Sequence, residues 1–150
     1  MIKMILTHSD TCRHAMHYLD HAGVDYQPFD IGKKTWSKYT EDQREYVVNL
    51  IVEALTYIDD GLDTIFHRRY HGKFVEAHED LSLHQLIRLG LDEGIIQTPI
   101  IYDDQRHLAS VGGLDENLAT FLPPRQLHAR RQLILHNLLD CFHNHVNLSN

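Results

Sequence analysis

Residues 2–31 commit the chain to a strand–helix–strand opening. The short apolar run Met4-Ile5-Leu6 breaks into the polar stretch Thr7-His8-Ser9-Asp10-Thr11. Residues 12–21 then carry Ala15, Met16 and Leu19 on one helical face, with Gly23 to close the helix. Residues 24–31 read as a second strand. Such a unit returns to one sheet by a right-handed crossover, with its two strands parallel. Pro28 lacks an N–H for a neighbour, so this second strand is expected at a sheet edge.

About residues 33–93 read as a helical block. Thr40, with Gln43 three residues on, predicts a capping box. Tyr46, Val47, Leu50, Ile51, Ala54, Leu55 and Ile58 follow as a 3.6-residue stripe, ended by Asp59-Asp60-Gly61. A shorter helix is expected over residues 62–70, closing at Gly72. Ser82 caps another that carries Leu83, Leu86, Ile87 and Leu89. Residues 95–102 then read as a strand with Thr98-Pro99 at its start. Asp103 to Arg106 form a turn, and residues 107–111 the return strand. Gly112-Gly113 leads to a helix over residues 117–122, and a last helix is expected over about residues 126–142. The reading is one domain over residues 1–143 and a polar tail, 144–150.

Composition narrows the function classes. The net charge of −7 disfavours direct contact with nucleic acid, although Arg125, Arg130 and Arg131, and His67-Arg68-Arg69, make local basic patches. Thirteen histidines make the charge depend on pH between roughly 5.5 and 7.5. No apolar run approaches the roughly 18 residues that span a membrane. Met1-Ile2-Lys3-Met4 enters a strand directly, so a cytoplasmic protein is expected. The two cysteines, Cys12 and Cys141, do not suggest a disulfide framework.

The order β-α-β, helical block, β-β-α predicts an α/β, thioredoxin-like fold with a helical insertion. Where that fold usually carries a Cys-x-x-Cys pair, this chain reads Ser9-x-x-Cys12. A serine oxygen cannot close a disulfide. Pro99 is the candidate for the proline, commonly cis, that opens the strand facing that loop.

Several stretches, in this order, resemble the Spx/MgsR branch of the arsenate-reductase-like family. They are Cys12-Arg13 with Ala15, Asp60-Gly61-Leu62-Asp63, Leu81-Ser82-Leu83-His84-Gln85-Leu86, Thr98 to Arg106, Val111-Gly112-Gly113 and Phe121-Leu122-Pro123. The resemblance runs from residue 2 to about 135. It implies a transcription regulator that binds the C-terminal domain of the RNA polymerase α subunit and reaches DNA only through the polymerase. Under it, Gly61 and Arg69 match partner-binding positions, and Arg68 adds charge beside them. The reductases of the family use the first loop cysteine as nucleophile and arginines to hold the oxyanion. Here Ser9 replaces that cysteine, and Gln97-Thr98 stand where an arginine commonly precedes the proline. The expectation is therefore a regulator and not an enzyme, with no cofactor. The alternative is a monothiol reductase, arsenate reductase- or glutaredoxin-like, using Cys12; a third reading is an adaptor with another partner.

Single residues carry two readings each. Cys12, at a helix N-terminus beside Arg13, is either a one-thiol redox sensor or a sulfur packed beneath the loop that holds Thr98 and Pro99. Ser9 is expected to cap the helix; flanking His8 and Asp10 do not make a triad. Gly61 is a helix C-cap or a close-approach point for a partner, and the two are compatible. His14, His17 and His21 share a helical face, but no metal is assigned to them. Cys141 reads as a small buried hydrophobe.

Overall fold

The computed structural model describes residues 1–67, 70–124, 135 and 138–139. Its centre is a four-stranded sheet of β1 (Ile2–Leu6), β2 (Tyr26–Asp30), β3 (Ile100–Asp103) and β4 (Leu108–Val111), in the order β2-β1-β3-β4. β1 and β2 are parallel; β1–β3 and β3–β4 are antiparallel. This is the thioredoxin-like arrangement expected. β2 lies at the edge with Pro28 opposite Met4, where a residue without an N–H costs the sheet least.

Side chains alternate across the pleat and divide the interior in two. Ile2, Met4, Leu6 and Ile101 face α1 (Asp10–His21) and α7 (Asp115–Ala119), where Cys12, Ala15, Leu19, Leu118 and Phe121 join them. Ile5, Ile100 and Tyr102 face the helical insertion. That insertion comprises α2 (Lys33–Lys38), α3 (Glu41–Leu55), α4 (Gly61–Ile65), α5 (His71–Ala77) and α6 (Leu83–Glu93). Val47, Val48, Ile51 and Ala54 of α3 pack with Leu86, Ile87 and Leu91 of α6.

Both helix starts read from Thr40 and Ser82 are present as full capping boxes, with Gln43 and Gln85 closing them. Trp36 anchors α2: it is buried, and its Nε1 donates to Asp92 Oδ1 at 2.9 Å. Arg88 reaches Glu41, Glu45 and Asp92 and ties α6 to the start of α3.

The middle of the insertion departs from expectation. The helix read over 62–70 is split: α4 ends at Ile65, and Gly72, its expected terminator, lies inside α5. Phe66 is extended and pairs with Ile96, while His67 N–H donates to Ile95 O and Gln97 N–H to Ile65 O. These non-local bonds take the backbone groups that a continuing helix would have used. They also confine β3 to four residues, because Ile96 serves this bridge instead of the sheet. Gly61 is not a C-cap. It is the first residue of α4, and its neighbour Asp60 adopts the left-handed conformation, φ 53°.

Arg68 and Arg69 lie outside the described residues, as do the Arg125, Arg130 and Arg131 patch, Cys141 and the tail 144–150. Of the helix expected over about 126–142, the described residues are Leu135, Leu138 and Leu139, and all three are exposed.

Candidate functional site

The loop from β1 into α1 converges with two others. Ser9 is extended and its Oγ accepts from the Cys12 N–H at 3.2 Å, so it is the N-cap of α1. Thr7 Oγ1 lies 3.1 Å from Thr98 Oγ1, and the Thr98–Pro99 peptide is cis. Pro99 O accepts from Gly112 N–H at 2.9 Å. Gly113 presses on Thr11 so closely that a Cβ would stand 2.8 Å from Thr11 Cγ2 and 3.0 Å from its carbonyl oxygen. Hydrogen bonds through Thr7 thus link the loop of Ser9 and Cys12 to Thr98, the residue before Pro99.

The chemistry of that site is sparse. Cys12 is 0% exposed, and its Sγ accepts from Thr7 N–H at 3.4 Å within the α1–α7 half of the core. The sulfur is thus packed inside the fold, the second of the two readings of Cys12. The thiol occupies the third position of α1 and turns with Ala15 and Leu19 onto the sheet, away from solvent. Arg13 does not form an anion fork. Its Nη2 and Nε donate to His8 O at 2.8 and 3.3 Å, and it stands 3.7 Å from the exposed Asp10. The Asp10 carboxylate in the first turn opposes binding of an anion at the helix N-terminus. No other arginine or lysine occurs in residues 7–13, 97–99 or 111–113.

Thiol-specific labelling tests the burial of Cys12. Ellman's reagent should modify Cys12 in denaturant and leave it unmodified in the native protein over the same interval. Peptide mapping identifies the cysteine; equal rates in the two states would show that Sγ is open.

Two features were not read from the sequence. His8 Nε2 lies 2.8 Å from Asp30 Oδ2, and Asp30 also accepts from Gly32 N–H and Thr35 Oγ1. This cluster joins the β1–α1 loop to the end of β2 across 22 residues of sequence. Beside Thr7 opens a cleft of about 570 Å³ whose lining includes Ile31, Trp36, Arg44, Asp92 and Ile96. Two of its charged groups are already engaged: Arg44 donates to the Trp36 and Ser37 carbonyls, and Asp92 holds Trp36 Nε1 and Arg88; Lys33 and Glu93 line it as well. No local pattern marks either feature, because each joins separate elements.

Gly61 is buried, with Asp59, Asp60, Asp63 and Thr64 exposed around it. The direction a side chain would take is filled from within: a Cβ would meet Leu55 Cδ2 at 2.8 Å and Ile58 Cβ at 3.3 Å. Its missing side chain thus serves the chain's own packing and does not present an open docking point. Among the described residues, no three histidine, cysteine or acidic side chains converge as a metal site. None of the described helices is long and apolar enough to cross a membrane.

No family model matches the chain, and no curated protein matches it. Solved structures do. The YFFB (PA3664) protein is 19% identical over 82% of this chain and 100% of its own, with a TM-score of 0.52. SACOL0876 from Staphylococcus aureus COL is 20% identical over 78% of this chain and 94% of its own, also at 0.52. A possible arsenate reductase from Streptococcus mutans UA159 is 20% identical over 75% and 90%, at 0.49. At these identities the likeness is one of fold.

Proposed function

We propose that this chain is a Spx-like transcriptional regulator, which binds the C-terminal domain of the RNA polymerase α subunit and turns over no substrate. The observation that carries the reading is at the β1–α1 loop. Its first sulfur position is Ser9, whose oxygen is spent as a helix cap, and its one thiol, Cys12, is fully buried. A reductase needs an accessible thiolate and cations to hold an anionic substrate, and Arg13 is folded back on the His8 carbonyl. What remains is a thioredoxin-like scaffold with a degenerate site, suited to binding. The net charge of −7 favours contact with protein over direct contact with DNA. A role on RNA polymerase places the protein in the cytoplasm. A redox response within this role requires a local opening that uncovers Cys12.

The contact surface in this reading is the exposed rim around Gly61, with Arg68 and Arg69 following it in sequence. Gly61 is a poor position to probe, because an added side chain collides with Leu55 before it reaches a partner. Thr64, on the exposed side of α4, is the better one. Thr64→Arg should weaken binding to purified α C-terminal domain tenfold or more, about 1.4 kcal/mol. Arg69→Ala should weaken it less, and more at low salt than at high salt. No arsenate reductase turnover is expected with glutaredoxin or thioredoxin. Absence of wild-type binding at 100-micromolar-scale concentrations, far weaker than about −5 kcal/mol, would replace this reading with an adaptor for another partner. Turnover abolished by Cys12→Ser would replace it with the monothiol reductase.

A further inference from the structure

We propose that the outer face of α1 is a binding site for a divalent transition-metal ion, held by His17 and His21. The two residues are one helical turn apart, which sets their Cβ atoms about 5–6 Å from each other on one face. Two imidazoles at this spacing chelate a single ion. Both side chains are exposed, and both line one surface groove together with His14, Tyr18, Ala22 and Leu122. His14 is already engaged, with its Nε2 2.7 Å from Asp115 Oδ1. No described residue hydrogen-bonds or ion-pairs with His17 or His21, so each neutral ring keeps a nitrogen lone pair for a metal.

The donor set selects the ion. Two imidazoles without thiolate or carboxylate suit copper(II), nickel(II) and zinc(II), and not the oxygen-seeking calcium or magnesium. Among the described residues no third protein ligand converges, so these residues supply a two-nitrogen chelate. The helix beneath is fixed. Ser9 caps it, and Cys12, Ala15 and Leu19 are buried on the opposite side. The two rings thus hold chelating distance only while α1 is folded, and a bound ion raises the melting temperature.

Calorimetric titration of the full chain with zinc chloride alone, and separately with nickel chloride alone, tests the site. His17→Gln and His21→Gln should each weaken binding tenfold or more, and the double variant should lose one equivalent of metal. His84→Gln, on α6, should bind as the wild type does. Both α1 positions are exposed, so circular dichroism should be unchanged in the variants. Nickel should raise the melting temperature of the wild type and not that of the double variant. Equal stoichiometry and affinity in wild type and double variant, or neither heat nor a melting shift with both metals, would overturn the assignment.

Discussion

Replacing Phe66 with alanine is expected to destabilise the protein by about 3–5 kcal/mol, the range for removing a buried phenylalanine from a well-packed core. Phe66 is 1% exposed, and its ring centroid lies 5.0 Å from that of Phe74 on α5. Its edge presses on α6 at Gly90, where a Cβ would stand 2.8 Å from Phe66 Cε1 and 2.8 Å from Ile96 Cδ1. One ring thus joins α4, α5 and α6 to the segment leading into the cis proline. A urea transition at lower midpoint with unchanged slope would register the loss. A double-mutant cycle makes the contact itself measurable. Gly90→Ala in the wild type overpacks this junction at about 1–3 kcal/mol. In the Phe66→Ala background half of the collision is gone, so the two changes should couple by at least about 0.5 kcal/mol. Simple additivity would mean that Gly90 is not a glycine for the sake of this ring.

Arg106→Met should cost about 2–3 kcal/mol and should also alter the response to acid. Arg106 Nε lies 2.7 Å from Asp103 Oδ2, and its two Nη atoms donate to the carbonyls of Phe121 and Leu122. It ties the β3–β4 turn to the chain leaving α7. The Asp103 side chain is only 7% exposed, so losing its cation strands a carboxylate; breaking such a buried pair costs about 3–5 kcal/mol. The Arg106 side chain is 35% exposed, and Asp103 keeps the Gln105 and residue-106 N–H bonds, so solvent screening and these donors reduce the loss. Burial by itself pushes the Asp103 carboxyl up. The Arg106 guanidinium and the two N–H groups outweigh this and hold it below the usual carboxylate range. A depressed carboxylate stabilises the fold at pH above its unfolded value, about 3.9, and that stability is lost as the pH falls through the folded value. The gap between wild type and Arg106→Met should therefore be full near neutrality and shrink below about pH 4. A gap constant down to pH 2 would show that the Asp103 charge is not what Arg106 serves.

The sequence by itself determined the parts whose signals are local. Thr40 with Gln43, and Ser82, marked helix starts because a capping box is closed within four residues. Pro28 marked the edge strand because a missing N–H is a property of one residue. The apolar run Met4-Ile5-Leu6 marked a strand, and the order of elements gave the topology of the sheet. Ser9 as a helix cap was legible for the same reason.

Tertiary structure alone decided the rest. Residues 62–70 carry helical composition, yet Phe66 leaves the helix because Ile96, thirty residues on, supplies backbone partners that no window around Phe66 contains. Gly61 reads as a helix terminator by its neighbours, but its role is set by Leu55 and Ile58 folding back over it. The clearest case is Cys12. Its place at a helix start beside Arg13 left a reactive thiol and a packed sulfur both open; the pitch of α1 on the sheet turns Sγ inward and Arg13 outward to the His8 carbonyl. Reactivity depends on access and on the field of surrounding charges, and both are properties of the assembled loops.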